Sequence, residues 1–128
     1  MGKQELINNN KRVHLSYPAP KANAININTH NSIEHELVKA MVVFACKARG
    51  YECYSEASWG NGWKGISDVY VPEIPMYIEV LQSETDAKLV RKCSTYPRID
   101  QVVVRVSDVL SAGRTFVDMY NYVKSLIP

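Results

Sequence analysis

The sequence predicts an α/β fold, a mixed four-stranded sheet flanked by helices in the order αβββαβ, with a further helix at the C-terminal end. Three stretches carry this expectation. Residues 31–49, NSIEHELVKAMVVFACKAR, repeat apolar side chains at three- and four-residue steps, the period of an amphipathic helix. Residues 65–83, GISDVYVPEIPMYIEVLQS, hold two short runs of β-forming residues around Pro72-Glu73-Ile74-Pro75, the pattern of a hairpin. Residues 99–106, IDQVVVRV, are a near-continuous β-branched run, which suits a central strand buried on both faces beside a parallel neighbour.

Taken in order, residues 1–30 form a basic, partly flexible arm rich in Asn, Lys and Pro, with Lys3, Lys11, Arg12, His14 and Lys21. It reads either as a loosely ordered terminus with an edge strand near 12–17, or as an arm laid along a phosphate backbone. Residues 31–128 make a single domain. In the first helix Asn31 or Ser32 is placed to cap, Glu34 and Glu36 complement the helix dipole, and Gly50 stops the helix. Ile33, Leu37, Ala40, Met41, Phe44 and Ala48 form its apolar stripe. Residues 51–58 alternate weakly as a first strand, with Cys53 and Ser55 on one side and Glu52, Tyr54 and Glu56 on the other. The turn that follows, over 59–65, carries Trp59, Trp63 and Lys64 among three glycines. It lacks the ending of a phosphate-binding P-loop, so its tryptophans either stack on bases or close over the core.

The hairpin holds the main chemistry. Prolines remove ladder donors and fix φ, so they belong in the connection and not in the strands. That registers Val71 with Met76, Tyr70 with Tyr77, Val69 with Ile78 and Asp68 with Glu79. Alternation then puts Val69, Val71, Met76, Ile78 and Val80 on a core face, and Asp68, Tyr70, Tyr77 and Glu79 on the other. Two carboxylates opposed across a ladder repel, which points to a cation between them, first of all a divalent metal. Residues 84–94 give a second helix capped by Thr85 or Asp86, whose basic side is Lys88, Arg91 and Lys92. Residues 114–127 give a third, with Phe116, Met119, Tyr120, Val123 and Ile127 on one side.

Composition bounds the rest. With 46% hydrophobic and 22% charged residues the chain is an ordinary globular protein, and a net charge of +2 does not by itself specify a nucleic-acid partner. Cys46, Cys53 and Cys93 are odd in number and lack C-x-x-C spacing, which favours free thiols over a zinc site or a disulfide. No apolar run reaches the ~18 residues of a membrane span and the first residues are polar. The expectation is a cytoplasmic protein with no membrane partner, in the host cytoplasm if viral.

The order and spacing of these pieces over residues 32–106 resemble the PD-(D/E)XK, restriction-endonuclease-like nuclease superfamily, in particular its small archaeal and archaeal-virus members. Their pattern is a helix S-x-x-H-x-L, a strand S-D-V and a strand I-E-V-x-x-S. Here those pieces are Ser32, Glu34, His35 and Leu37, then Ser67-Asp68-Val69, then Ile78-Glu79-Val80 with Ser83. The resemblance implies a metal-dependent DNA nuclease of endonuclease or junction-resolvase type. Asp68 and Glu79 would hold Mg²⁺ or Mn²⁺, joined by Glu34 through a water or a second ion. Gln82 would orient the nucleophile, and Lys88, Arg91, Lys92, Lys64, Trp59 and Trp63 would contact DNA. The resemblance also implies a homodimer. One departure is plain: Leu81 stands where the common motif has Lys, with Gln82 one residue later, able to reach the site only if the strand bulges or ends there. A catalytically inactive nucleic-acid-binding module of the same fold is the alternative. A third possibility is an interaction protein whose acids merely decorate its surface.

Overall fold

In a computed structural model, which describes residues 21–128, four strands form one sheet in the order β1-β2-β3-β4. Chain order is helix α1 (Ile33–Ala48), β1 (Tyr54–Ser58), β2 (Ile66–Val71), β3 (Met76–Leu81), helix α2 (Asp86–Cys93), β4 (Asp100–Arg105), the short helix α3 (Val106–Leu110) and helix α4 (Phe116–Leu126). β1, β2 and β3 are antiparallel neighbours, and β4 joins β3 in parallel. This is the expected mixed sheet. The hairpin register is also as expected, with Val69 opposite Ile78, Tyr70 opposite Tyr77 and Val71 opposite Met76.

Local signals set most boundaries. Ser32 caps α1 by accepting from the His35 amide, and Gly50, at φ 86°, takes the chain out of the helix. Thr85 caps α2, and Thr115 with Asp118 forms a capping box on α4. α3 was not foreseen: β4 runs straight into it, so the β-branched run ends as a helix at Val106.

Both faces of the sheet are buried. One carries Val69, Val71, Met76, Ile78, Val80 and Val104 against Val38, Val42 and Cys46 of α1, together with Val123 of α4. The other carries Tyr54, Tyr70, Tyr77 and Leu81 against Leu89 and Cys93 of α2, with Trp59 and Tyr96. The face assigned only to acids and tyrosines is therefore a second core, covered by α2.

Two expectations are corrected here. The apolar stripe of α1 is on the outside, with Ile33, Leu37 and Phe44 exposed, because the helix turns Val38, Val42, Val43, Ala45 and Cys46 to the sheet instead. β4 is an edge strand; its polar residues Asp100 and Gln101 are exposed, and only Val104 in it is fully buried. Of the segment before α1, residues 23–30 lie against β1 and α1. Asn23 exchanges hydrogen bonds with Cys53, Asn26 donates from its amide and its side chain to Ser55, and the Asn28 amide donates to Glu36 at 2.7 Å. Asn side chains satisfy the backbone there where no ladder partner exists. The edge strand expected near 12–17 and the cations Lys3, Lys11, Arg12 and His14 lie outside the described residues. Among the described residues no helix is long and apolar enough to cross a membrane.

Candidate functional site

Asp68 in β2 and Glu79 in β3 are both buried, at 7% and 0% exposure, near the open end of the hairpin. Hydrogen bonds on the two carboxylates are few. Asp68 Oδ2 accepts from the Val80 amide at 2.7 Å. Glu79 Oε2 accepts from Lys92 Nζ at 2.9 Å, an ion pair from α2 to β3. Glu79 Oε1 is buried with no hydrogen-bond partner among the described residues. Burial and the neighbouring Asp68 charge push Glu79 up to about 8, against the opposing pull of Lys92. Asp68 goes the other way: burial would raise it, but His35, the Val80 amide and Lys92 hold it below the ordinary carboxylate range.

Behind Asp68 runs a buried relay of alternating charge. His35 Nε2 stands 3.7 Å from Asp68 Oδ2, an ion-pair distance too long for a hydrogen bond. Its Nδ1 meets Glu36 Oε2 at 2.7 Å. Lys39 Nζ then donates to Glu36 Oε1 at 2.6 Å and to Glu56 Oε1 at 2.7 Å, and Lys39 has no exposed surface. Burial disfavours the imidazolium, but Asp68 and Glu36 outweigh it and bring His35 to about 9. Burial also opposes the charge on Glu36, yet the Asn28 amide, Lys39, His35 and Asn31 lower it to about 2. Glu56 reaches Lys39 by taking a left-handed backbone, φ 49°, a conformation that costs of order 1–3 kcal/mol outside glycine. Side-chain alternation breaks there: Tyr54 and Ala57, three apart, share the α2-side core, and Glu56 turns to α1.

The expected residues divide accordingly. Asp68, Glu79 and Lys92 come together. Glu34 does not join them; it is exposed on α1 and makes no hydrogen bond or ion pair among the described residues. The rotation that buries Val38 and Val42 gives the inward place to His35 and Glu36. Lys92 is not a free phosphate contact, because its ammonium is held by Glu79. Lys88 and Arg91 remain exposed around an open cavity of about 530 Å³ that Lys92, Leu81, Leu89 and Glu84 also line. β3 ends at Leu81, so Gln82 lies just beyond the strand, where its Oε1 accepts from Ser32 Oγ at 2.8 Å. Leu81 itself is buried in the core under α2.

Of the two places open to Trp59, stacking on bases or closing over the core, the structure has it in the core. Its ring meets Tyr70 at 5.0 Å, Tyr96 at 5.5 Å and Tyr77 at 6.0 Å, and its amide bridges to the Gly65 carbonyl. Trp63 is half-buried against the same cluster, and Lys64 is exposed in a loop tied to Thr95. From the sequence His35 received only a place in the motif, Glu36 only dipole complementation, Lys39 no role and Glu56 only a side of the first strand, and none of them a part in a relay. The signal for the first three was a second apolar period on α1 (Val38, Val42, Ala45, Cys46), which puts them on the buried side.

The two carboxylates suit a hard divalent cation. Glu79 Oε1 is an unused oxygen in a dry setting, and a cation beside it would relieve the repulsion from Asp68. Among the described residues no three His, Cys, Asp or Glu side chains converge as a metal cluster. No family model, no curated protein and no solved structure matches this chain.

Proposed function

We propose that this chain is a metal-dependent nuclease that hydrolyses DNA phosphodiester bonds, of endonuclease or junction-resolvase type, on a restriction-endonuclease-like fold. The observation that carries the reading is the pair Asp68 and Glu79 on neighbouring strands, both buried, with a spare oxygen on Glu79 and the Lys92 ammonium beside them. Asp68 and Glu79 would hold Mg²⁺ or Mn²⁺, which supplies polarisation of a phosphoryl oxygen and a bound water of lowered pKa.

The chain's own residues do the rest. Lys92, fixed on Glu79, supplies a cation beside the carboxylates, and in this reading it takes the part of the Lys for which Leu81 stands in the family pattern. It serves to orient the attacking water and to offset charge on the phosphorane-like transition state. His35, held charged by Glu36, keeps Asp68 ionised and aimed. Lys88 and Arg91, exposed on the cavity that Lys92 also lines, would contact backbone phosphates.

The test is Mn²⁺-dependent nicking of supercoiled plasmid and branched DNA. Asp68→Asn and Glu79→Gln are expected to abolish cleavage and leave DNA affinity unchanged or higher. Lys92→Met is expected to lower the cleavage rate by about a hundredfold or more, the range for one well-placed catalytic group. DNA binding without cleavage in wild type would select the inactive binding module instead. Equal activity in wild type and both acid variants would end the nuclease reading.

A further inference from the structure

The outward face of α1 is apolar, and the candidate site makes no use of it. Ile33, Leu37, Ala40 and Phe44 follow one another at four-, three- and four-residue steps, the spacing of a helix that packs along another helix. Ile33 is 75% exposed, Leu37 49% and Phe44 65%. α4 extends the face with Phe116 and Val117, exposed to 72% and 66%, beside Tyr120, whose ring meets Phe44 edge-on at 5.2 Å. A cavity of about 480 Å³ lies between the two helices. A second, sharing Leu37 and Ala40, carries the groove on to Ile33 and Ile27.

We propose that this face is the interface of a homodimer, with α1 of one copy lying antiparallel on α1 of the other and α4 flanking the contact. One helix supplies both a ridge (Ile33, Leu37, Phe44) and a low point (Ala40), so the surface complements itself under a two-fold axis beside Ala40. The ends of the helix carry unlike charge. Glu34 is exposed in the first turn and Lys47 in the last, and an antiparallel copy sets these ends together with opposed dipoles. The area suffices as well. Ile25, Ile27, Ile33, Leu37, Phe44, Phe116 and Val117 are each about half exposed or more. At roughly 100 Å² apiece they approach the ~800 Å² per partner of a standard interface. The chain's own first 20 residues are a poor match by composition, since Lys3, Lys11, Arg12 and three consecutive Asn would be set against the uncharged lining of the cavity between α1 and α4. This inference is independent of the hydrolytic reading.

Sedimentation of the full chain at about 10 µM, a concentration that populates interfaces of ordinary affinity, is expected to give a species of twice 14.5 kDa. Phe44→Glu and Leu37→Glu, both at exposed positions, are expected to raise the dissociation constant by about a hundredfold or more. Leu37→Glu should leave the melting curve of the monomer unchanged, and Phe44→Glu should lower it only by the loss of the Tyr120 ring contact. Ala40→Cys is expected to form a cross-linked dimer on mild oxidation, whereas wild type does not, because Cys46, Cys53 and Cys93 are buried. A photo-cross-linking side chain at position 44 is expected to attach to α1 or α4 of a second copy. A wild-type monomer, a dimer indifferent to Phe44→Glu, or attachment to residues 1–20 of the same chain would each overturn the proposal.

Discussion

Lys39 has no contact with solvent, and both of its partners are carboxylates. Replacing it with Met leaves Glu36 buried beside Glu56 with no ammonium between them. The expected loss is about 3–5 kcal/mol, the cost of breaking a buried ion pair from one side, read from urea unfolding. Glu56→Gln, at a partly exposed position, is expected to cost less. The same network sets the pH dependence of the metal-free protein. His35 is raised from 6.5 to about 9, so its contribution is complete below 6.5 and is lost as pH rises through 9. Glu79 is raised from 4.5 to about 8, so the folded state holds that proton more tightly too, and stability falls as pH rises across that interval. Glu36, lowered from 4.5 to about 2, contributes above 4.5 and loses its contribution as pH falls towards 2. Melting temperature in chelator is therefore expected to peak near 4.5, to fall as Glu79 loses its contribution, and to fall more steeply from 6.5 up to 9 as His35 adds its own loss. Glu79→Gln should flatten that decline, and a wild-type melting temperature that climbs from 6.5 to 8 would contradict the shifted carboxyl.

Among the elements, the loop from Trp59 to Gly65 couples the sheet to α2. Gly65 has φ 103°, and a Cβ there would stand 2.6 Å from Tyr96 Cε1. Tyr96 is itself fixed, packed under the sheet with its hydroxyl donating to the Ile66 carbonyl at 2.5 Å. Gly65→Ala therefore meets both backbone strain and a packed ring, and is expected to cost at least about 2 kcal/mol in unfolding free energy. Because Tyr96 and Leu89 share the core that holds α2, the variant should also weaken the placement of Lys92. A destabilised Gly65→Ala that cleaves at the wild-type rate under folded conditions would break this link between loop and helix.

For the molecule as a whole, folding brings two carboxylates together at a net cost that a divalent ion can remove. Millimolar Mg²⁺ or Mn²⁺ is expected to raise the melting temperature by several degrees. A hundredfold excess over the dissociation constant corresponds to about 2.7 kcal/mol. The increment should be larger near 8 than near 4.5, since below 8 the ion must displace a proton from Glu79. Calorimetry with and without metal at the two pH values checks this. A melting temperature indifferent to both ions would remove the metal from the proposal.

The hairpin and its acids were legible in the sequence, because two prolines fix the connection and strand alternation then leaves one register for Asp68 and Glu79. Caps at Ser32, Thr85 and Gly50 were legible for the same reason: they act within one turn of chain. Which way α1 rolls was not. It carries apolar residues on two sides, and only the sheet beneath it chooses Val38 and Val42 over Leu37 and Phe44. That choice brings His35, Glu36 and Lys39 inside and leaves Glu34 out. The pairing of Lys92 with Glu79, 13 residues apart, likewise depends on where α2 docks. Periodicity and turn chemistry are local and determined the elements. The partners of each charge lie on other elements, and the packing of those elements against one another decided them.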